Sequence, residues 1–152
     1  MQLSTSIDIH APVEAVWNVV TNIEDAPNRI EAIESVEILE RPEHGLVGLK
    51  WKEVRTLFGK QASEVMWVTD AEENRFYKTR AESHGAIYIS TISVDEKNGV
   101  TTLTMSFDGT PVTFGAKVMS ALMGWMMKGA TQKALAKDLE DIKEVVESAQ
   151  SA

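Results

Sequence analysis

The stretch FGAKVMSALMGWMMKGATQKALAKDLEDIKEVVES, residues 114–148, contains no proline and reads as one long helix made of two chemically different halves. In the second half, Leu135, Leu139, Ile142 and Val146 follow the spacing of a surface helix lying on a core, with Lys, Glu and Asp between them. That half needs one partner surface. In the first half, Phe114 to Met127, the residues Val118, Leu122 and Trp125 continue the stripe, while Met119, Met123, Met126 and Met127 spread apolar character around the cylinder. Such a segment must be covered on more than one side, or must face something apolar that is not always protein. Gly124 and Gly129 inside the helix each cost about 1 kcal/mol relative to alanine, which points to close packing or a kink.

Upstream, Leu3, Thr5, Ile7 and Ile9 alternate with Gln2, Ser4, Ser6 and Asp8, the period of a half-buried strand over Gln2 to His10. Ala11-Pro12 suits the start of a short helix whose stripe is Val13, Val16, Trp17 and Val20. Thr21 is a candidate cap for a second short helix from Asn22 to Ala26, which Pro27 ends. Strands are predicted at Val36 to Arg41, Leu49 to Phe58, Gln61 to Thr69, Arg75 to Glu82, Ala86 to Val94 and Val100 to Phe107. The turn residues between the later ones are Gly59-Lys60, compatible with a type II′ turn, the polar loop from Asp70 to Asn74, His84-Gly85, and Asp95 to Gly99 with Asn98-Gly99. Seven strands, two short helices after the first of them and a long closing helix define an α+β fold.

At 152 residues, with 43% hydrophobic and 25% charged, the chain is expected to be a single domain spanning 1–152 that buries a sizeable core. Its 23 acidic and 15 basic residues give a formal charge of -8, which argues against nucleic acid as a partner, because phosphate binding needs clustered Lys and Arg. With no cysteine, disulfides and thiolate metal sites are excluded, and His10, His44 and His84 are scattered, so no metal site and no cofactor are expected. The opening MQLSTSIDIH has neither a basic nor an apolar stretch of a secretory signal, so a cytoplasmic location is expected. The apolar half-helix carries Lys117 and is shorter than the roughly 20 residues that span a bilayer, so no transmembrane segment is expected.

The order of elements, together with APVEAVWNVV (11–20), VGLKWKEVRTLFGK (47–60), EVMWVTD (64–70), GVTTLTMSF (99–107) and the terminal helix, resembles the START-like superfamily, also called SRPBCC. Within it, the chain is most similar to the polyketide cyclase/dehydrase and lipid-transport group. The resemblance implies a helix-grip fold, in which a curved seven-stranded antiparallel sheet wraps the C-terminal helix and leaves a cavity. Family activities range from carrying lipids and sterols to cyclising polyketides, so the resemblance implies a pocket rather than one reaction. In one place the chain departs: where many members carry a Trp-x-Pro-type segment after the second helix, it has APNRIEAIES, residues 26–35.

Propagating hairpin registers from the turns tests for a coherent inner face. With Phe58 opposite Gln61, one face holds Trp51, Glu53, Arg55 and Leu57 with Ala62, Glu64, Met66 and Val68. With Thr69 opposite Arg75 it continues through Phe76, Lys78 and Arg80, then Ile87, Ile89 and Thr91, then Leu103, Met105 and Phe107. The opposite phase turns Val54, Phe58, Val65, Trp67, Tyr77, Tyr88 and Ile92 inward, because a one-residue slip exchanges the faces. In the first phase apolar walls surround Glu53, Arg55, Glu64, Lys78 and Arg80, the composition of a site for an amphipathic small molecule. Exposed to water, the same charges form only a cross-strand ladder worth about 1 kcal/mol or less per pair. Facing a ligand, Arg55 or Arg80 would bind a carboxylate or phenolate, with Glu53 and Glu64 orienting the guanidinium groups.

Met119, Met123 and Met126 are read both as core filler and as the far wall of that pocket. No catalytic residue is assigned, since nothing places a histidine beside a nucleophile or carboxylate. The leading expectation is binding or transport of a small, mainly hydrophobic or amphipathic molecule. A polyketide cyclase, aromatase or dehydratase would instead need Arg55, Glu64 or Tyr88 to converge. A third reading makes the Met-rich half-helix a docking surface for protein or membrane. The ligand's identity and the oligomeric state are not encoded in any motif.

Overall fold

The computed structural model describes residues 2–57 and 59–151. Seven strands form one curved antiparallel sheet in the order β1-β7-β6-β5-β4-β3-β2. They are β1 (Gln2–Ile9), β2 (Ile33–Glu40), β3 (Lys50–Leu57), β4 (Lys60–Glu72), β5 (Phe76–Ser83), β6 (Ala86–Lys97) and β7 (Val100–Pro111). Helix α1 (Val13–Thr21) and a 3₁₀ helix (Ile23–Asn28) carry the chain from one sheet edge to the other, and α2 (Phe114–Ser151) closes it. This is the helix-grip arrangement that the family resemblance implies.

The local chemistry accounts for most boundaries. Pro12 occupies the N-cap of α1 in an extended conformation, where its missing N–H costs nothing. Thr21 does not cap the next helix; its hydroxyl donates back to the Trp17 carbonyl at 2.7 Å, and the 3₁₀ helix runs through Pro27. Thr113 caps α2, its Oγ1 accepting from the Ala116 N–H at 3.2 Å. Beside it, the Gly85 carbonyl accepts from the Val112 and Thr113 N–H groups, tying the β5–β6 turn to the start of α2.

The core lies between the concave sheet face and the helices. Val16, Trp17 and Val20 of α1 and Leu139, Ile142 and Val146 of α2 pack with Ile9, Trp51, Val68, Tyr77, Ile92, Val94 and Leu103. The Tyr77 ring meets Trp17 edge-on at 6.0 Å, and its hydroxyl donates to the Val20 carbonyl at 2.9 Å, so a buried phenol is satisfied. Burial, with Glu53 adding to it, pushes that hydroxyl far above the ordinary tyrosine range.

Three registers differ from the sequence reading. Leu57 pairs with Lys60 and Arg55 with Ala62; the expected partner of Gln61, Phe58, lies outside the described residues. The ladder is displaced by two residues, an even number, so the faces of β3 and β4 stay as expected. In β4 a bulge at Thr69 sets Val68 opposite Thr79 but Asp70 opposite Lys78. One extra residue reverses the parity, so Tyr77, Thr79 and Ala81 face inward while Phe76, Lys78 and Arg80 face outward. Finally, β6 extends through Lys97, which pairs with Val100 around Asn98 and Gly99, both at positive φ. That odd change from the predicted five-residue loop reverses parity again and returns Leu103, Met105 and Phe107 to the inner face.

Candidate ligand-binding site

The concave face can be followed in rows across the ladders. Trp51 pairs with Met66, Met66 with Ala81, Ala81 with Tyr88 and Tyr88 with Gly109. A neighbouring row joins Val68, Thr79, Ser90, Phe107 and Leu3, and the next joins Tyr77, Ile92, Met105 and Thr5. Tyr88 stacks on Phe107 with ring centroids 5.6 Å apart and planes at 23°. Gly109 makes this possible, since a Cβ there would stand 3.2 Å from the Tyr88 ring. Burial, and secondarily the charge of Glu64, raises the Tyr88 pKa.

Opposite these rows, α2 behaves as two different helices. From Asp138 onward it is anchored, with Leu139, Ile142 and Val146 almost fully buried. Continuing the same stripe backwards by three- and four-residue steps leads through Leu135 and Thr131 to Gly124. A Cβ at Gly124 would meet only Ser120 Oγ of its own helix, at 3.8 Å. The sheet is therefore not packed against the helix at Gly124.

A buried charged cluster stands where the packed half of α2 meets β3. Arg55 donates from Nη1 to Asp138 Oδ2 at 2.8 Å and from Nε to Glu53 Oε2 at 3.2 Å. The Asp138 side chain is only 4% exposed. Burial raises its pKa, outweighing the opposing charge and hydrogen bond of Arg55. For Arg55 burial opposes the charge, but Asp138 and Glu53 more than compensate and its pKa is raised. Asp138 Oδ1 and Trp51 Nε1 are buried and have no hydrogen-bond partner among the described residues.

The residues named from sequence divide accordingly. Trp51, Glu53, Arg55, Glu64, Met66, Met105 and Phe107 share the concave face, and Leu103 does so too, though it is wholly buried in the core. Phe76, Lys78, Arg80 and Ile89 do not join them. The Thr69 bulge puts these four on the convex side, where Phe76 and Lys78 border one open depression of about 620 Å³ and Ile89 another of about 500 Å³. Arg80 pairs there with Glu82 at 3.4 Å. Met119, Met123 and Met126 are exposed along the free half of α2 instead of being enclosed. The charge pattern changes as well: Glu64 accepts from Ser83 Oγ at 2.7 Å, and the partners of Arg55 are Glu53 and Asp138.

Asp138 is absent from the sequence reading, which turned Tyr77 and Tyr88 inward only in the opposite phase and named Tyr88 only for a cyclase. Tyr77 and Tyr88 were hidden by the bulge. Asp138 carried a legible signal, since it is an acidic residue lying on the same stripe as Leu135, Leu139 and Ile142. Chemically, two carboxylates already answer the single guanidinium, which leaves the cluster unsuited to a ligand carboxylate.

A family model described as "Polyketide cyclase / dehydrase and lipid transport" matches residues 1–147. The chain belongs to that family. Among solved structures it is similar to TTHA0849 from Thermus thermophilus, with a TM-score of 0.81 and 17% identity, covering 98% of this chain and 99% of that one. A START superfamily protein from Mycobacterium smegmatis gives a TM-score of 0.78 at 18% identity over 97% of this chain and 98% of the other. The Zhui aromatase/cyclase from a Streptomyces species gives 0.74 at 14% identity over 97% and 93%. At such identities these likenesses show the fold. No curated protein matches the chain. Among the described residues no helix is long and apolar enough to cross a membrane.

Proposed function

We propose that this domain binds a small, mainly apolar molecule in the groove between the concave sheet face and the first half of α2. The observation that carries the reading is the open space at Gly124, on the very stripe that is tightly packed further along the helix. Membership of a family described by polyketide cyclisation and lipid transport supports it. Leu57, Tyr88, Met105 and Phe107 would supply the apolar wall, and Trp51, Glu53, Arg55, Glu64 and Met66 the more polar end. Because Arg55 is answered by Glu53 and Asp138, the preferred ligand carries an uncharged head with a hydroxyl or amide donor, not an acidic one.

A cyclase using the same groove would need Arg55, Glu64 and Tyr88 to act on one substrate. Arg55 bonds to Glu53 and Asp138, Glu64 to Ser83, and Tyr88 stacks on Phe107. Their separate engagement favours binding over cyclisation. Titration with the uncharged fluorophore N-phenyl-1-naphthylamine tests the reading. Saturable binding at one site, lost in Phe107→Arg, is expected. A signal that never saturates, or that the substitution leaves unchanged, would overturn it.

A further inference from the structure

Glu64 stands on the concave face with no cation within ion-pair distance among the described residues. Arg55, on the same face, is taken by Glu53 and Asp138, and Arg80 pairs with Glu82 on the convex side. In the β3–β4 ladder the partner of Glu64 is Glu53, so two carboxylates are set directly opposite each other on one face, an arrangement that costs stability. Among the described residues the Glu64 carboxylate takes one hydrogen bond, from Ser83, whose Oγ donates to Oε1 at 2.7 Å, and Oε2 takes none.

The neighbours of Glu64 on that face are mostly small. Ala62 lies two residues before it on β4, Ser83 holds it from β5, and Ala86 pairs with Ser83. Ala62 is exposed, and Ser83, Ala86 and Glu64 itself are half-buried, so none of these side chains covers the carboxylate. Met66, its larger neighbour, begins the row that runs through Ala81 to Tyr88, whose ring stacks on Phe107. The charge of Glu64 acts on the Tyr88 hydroxyl, which puts the carboxylate beside the apolar wall. On the facing helix, at 100° per residue, Lys117 and Lys128 lie within about 40° of Gly124. That positive side disfavours an ammonium head, as the carboxylates of the sheet disfavour an acidic one.

We infer that Glu64 reads the head of the ligand, Oε2 accepting a hydrogen bond from a hydroxyl or amide while Ser83 fixes the carboxylate through Oε1. The groove then selects molecules with such a donor over ethers and esters of the same shape. The inference rests on the groove reading and adds the residue that discriminates, with Ser83 as its positioning residue.

Displacement of N-phenyl-1-naphthylamine by 2-naphthol and by 2-methoxynaphthalene, in which a methyl group replaces the hydroxyl proton, tests it. The naphthol is expected to compete about tenfold better in the parent, as for one hydrogen bond to a half-buried charged group. In Glu64→Leu that preference should vanish, with the thermal midpoint unchanged or raised because the opposition to Glu53 is gone. Ser83→Ala should reduce the preference about threefold and leave competition by the ether unchanged. Equal competition by the two probes in the parent overturns the inference and leaves the groove standing, as does a preference that survives Glu64→Leu. The comparison of probes in the parent keeps the test decisive if that variant unfolds. A fluorophore that neither binds saturably nor is displaced overturns this inference and the groove reading together.

Discussion

Replacing Arg55 with methionine should destabilise the protein strongly at neutral pH and less in acid. The substitution keeps the chain length but leaves the Asp138 carboxylate, 4% exposed, without its 2.8 Å partner, and Glu53 without its 3.2 Å one. Removing one member of a buried ion pair costs about 3–5 kcal/mol, because the other charge stays desolvated. For a chain of 152 residues that corresponds to a fall in Tm of about 6–20 °C. The pH dependence follows from the direction of the Asp138 shift. Its folded pKa is raised above 3.8 by burial, so the native state holds that proton more tightly than the unfolded chain does. The group favours folding below 3.8, and this contribution is lost as pH rises through the folded value. Without Arg55 the folded value rises further. The gap between Arg55→Met and the parent should therefore be full near pH 7 and close as pH falls toward about 4. Urea unfolding followed by tryptophan fluorescence at both pH values would measure it. The double variant Arg55→Met/Asp138→Leu should regain part of the loss, since Asp138 then leaves no orphaned charge while Glu53 still lacks its partner. An unchanged midpoint for Arg55→Met at pH 7, or a gap that widens in acid, would refute the reasoning.

Two further outcomes follow from the register. Gly99→Ala should cost about 1–2 kcal/mol in thermal unfolding, because φ is +81° there while a Cβ would meet nothing within 4 Å, so the penalty is one of backbone conformation alone. Deleting Thr69 leaves Val68 opposite Thr79 and Asp70 opposite Lys78 in a ladder without a bulge, so Val68 and Tyr77 both stay inward and circular dichroism and size-exclusion chromatography should show the native state retained.

The bulge also explains what could be read from the sequence and what could not. Element order and strand number were legible because periodicity, prolines and glycine-containing turns are local signals. The inward face of β3 and β4 was legible too. That of β5 and β6 was not, because strand parity depends on every residue between two turns, and nothing in VTDAEEN (68–74) marks Thr69 as the unpaired one. The return of β7 to the expected face rested on a second odd error, the extension of β6 to Lys97, and not on a correct register. Asp138 needed no tertiary information, only attention to a charge on a buried stripe.

The two halves of α2 follow from one sequence property with opposite consequences. Where the apolar residues are confined to a stripe, from Leu135 onward, the helix needs one surface and the sheet provides it. Where they surround the cylinder, from Phe114 to Met127, a single curved sheet can reach one side at most. Glycine at 124 leaves even that side unfilled, and the outer arc stays in water. Hydrophobic burial thus fastens α2 at its C-terminal end and leaves its N-terminal end uncovered among the described residues. A ligand in the proposed groove would cover the inner side only and leave the outer arc of Phe114, Leu122 and Trp125 in water. Trp125→Asp, on that arc, should therefore leave fluorophore binding unchanged, whereas Phe107→Arg on the concave face should abolish it.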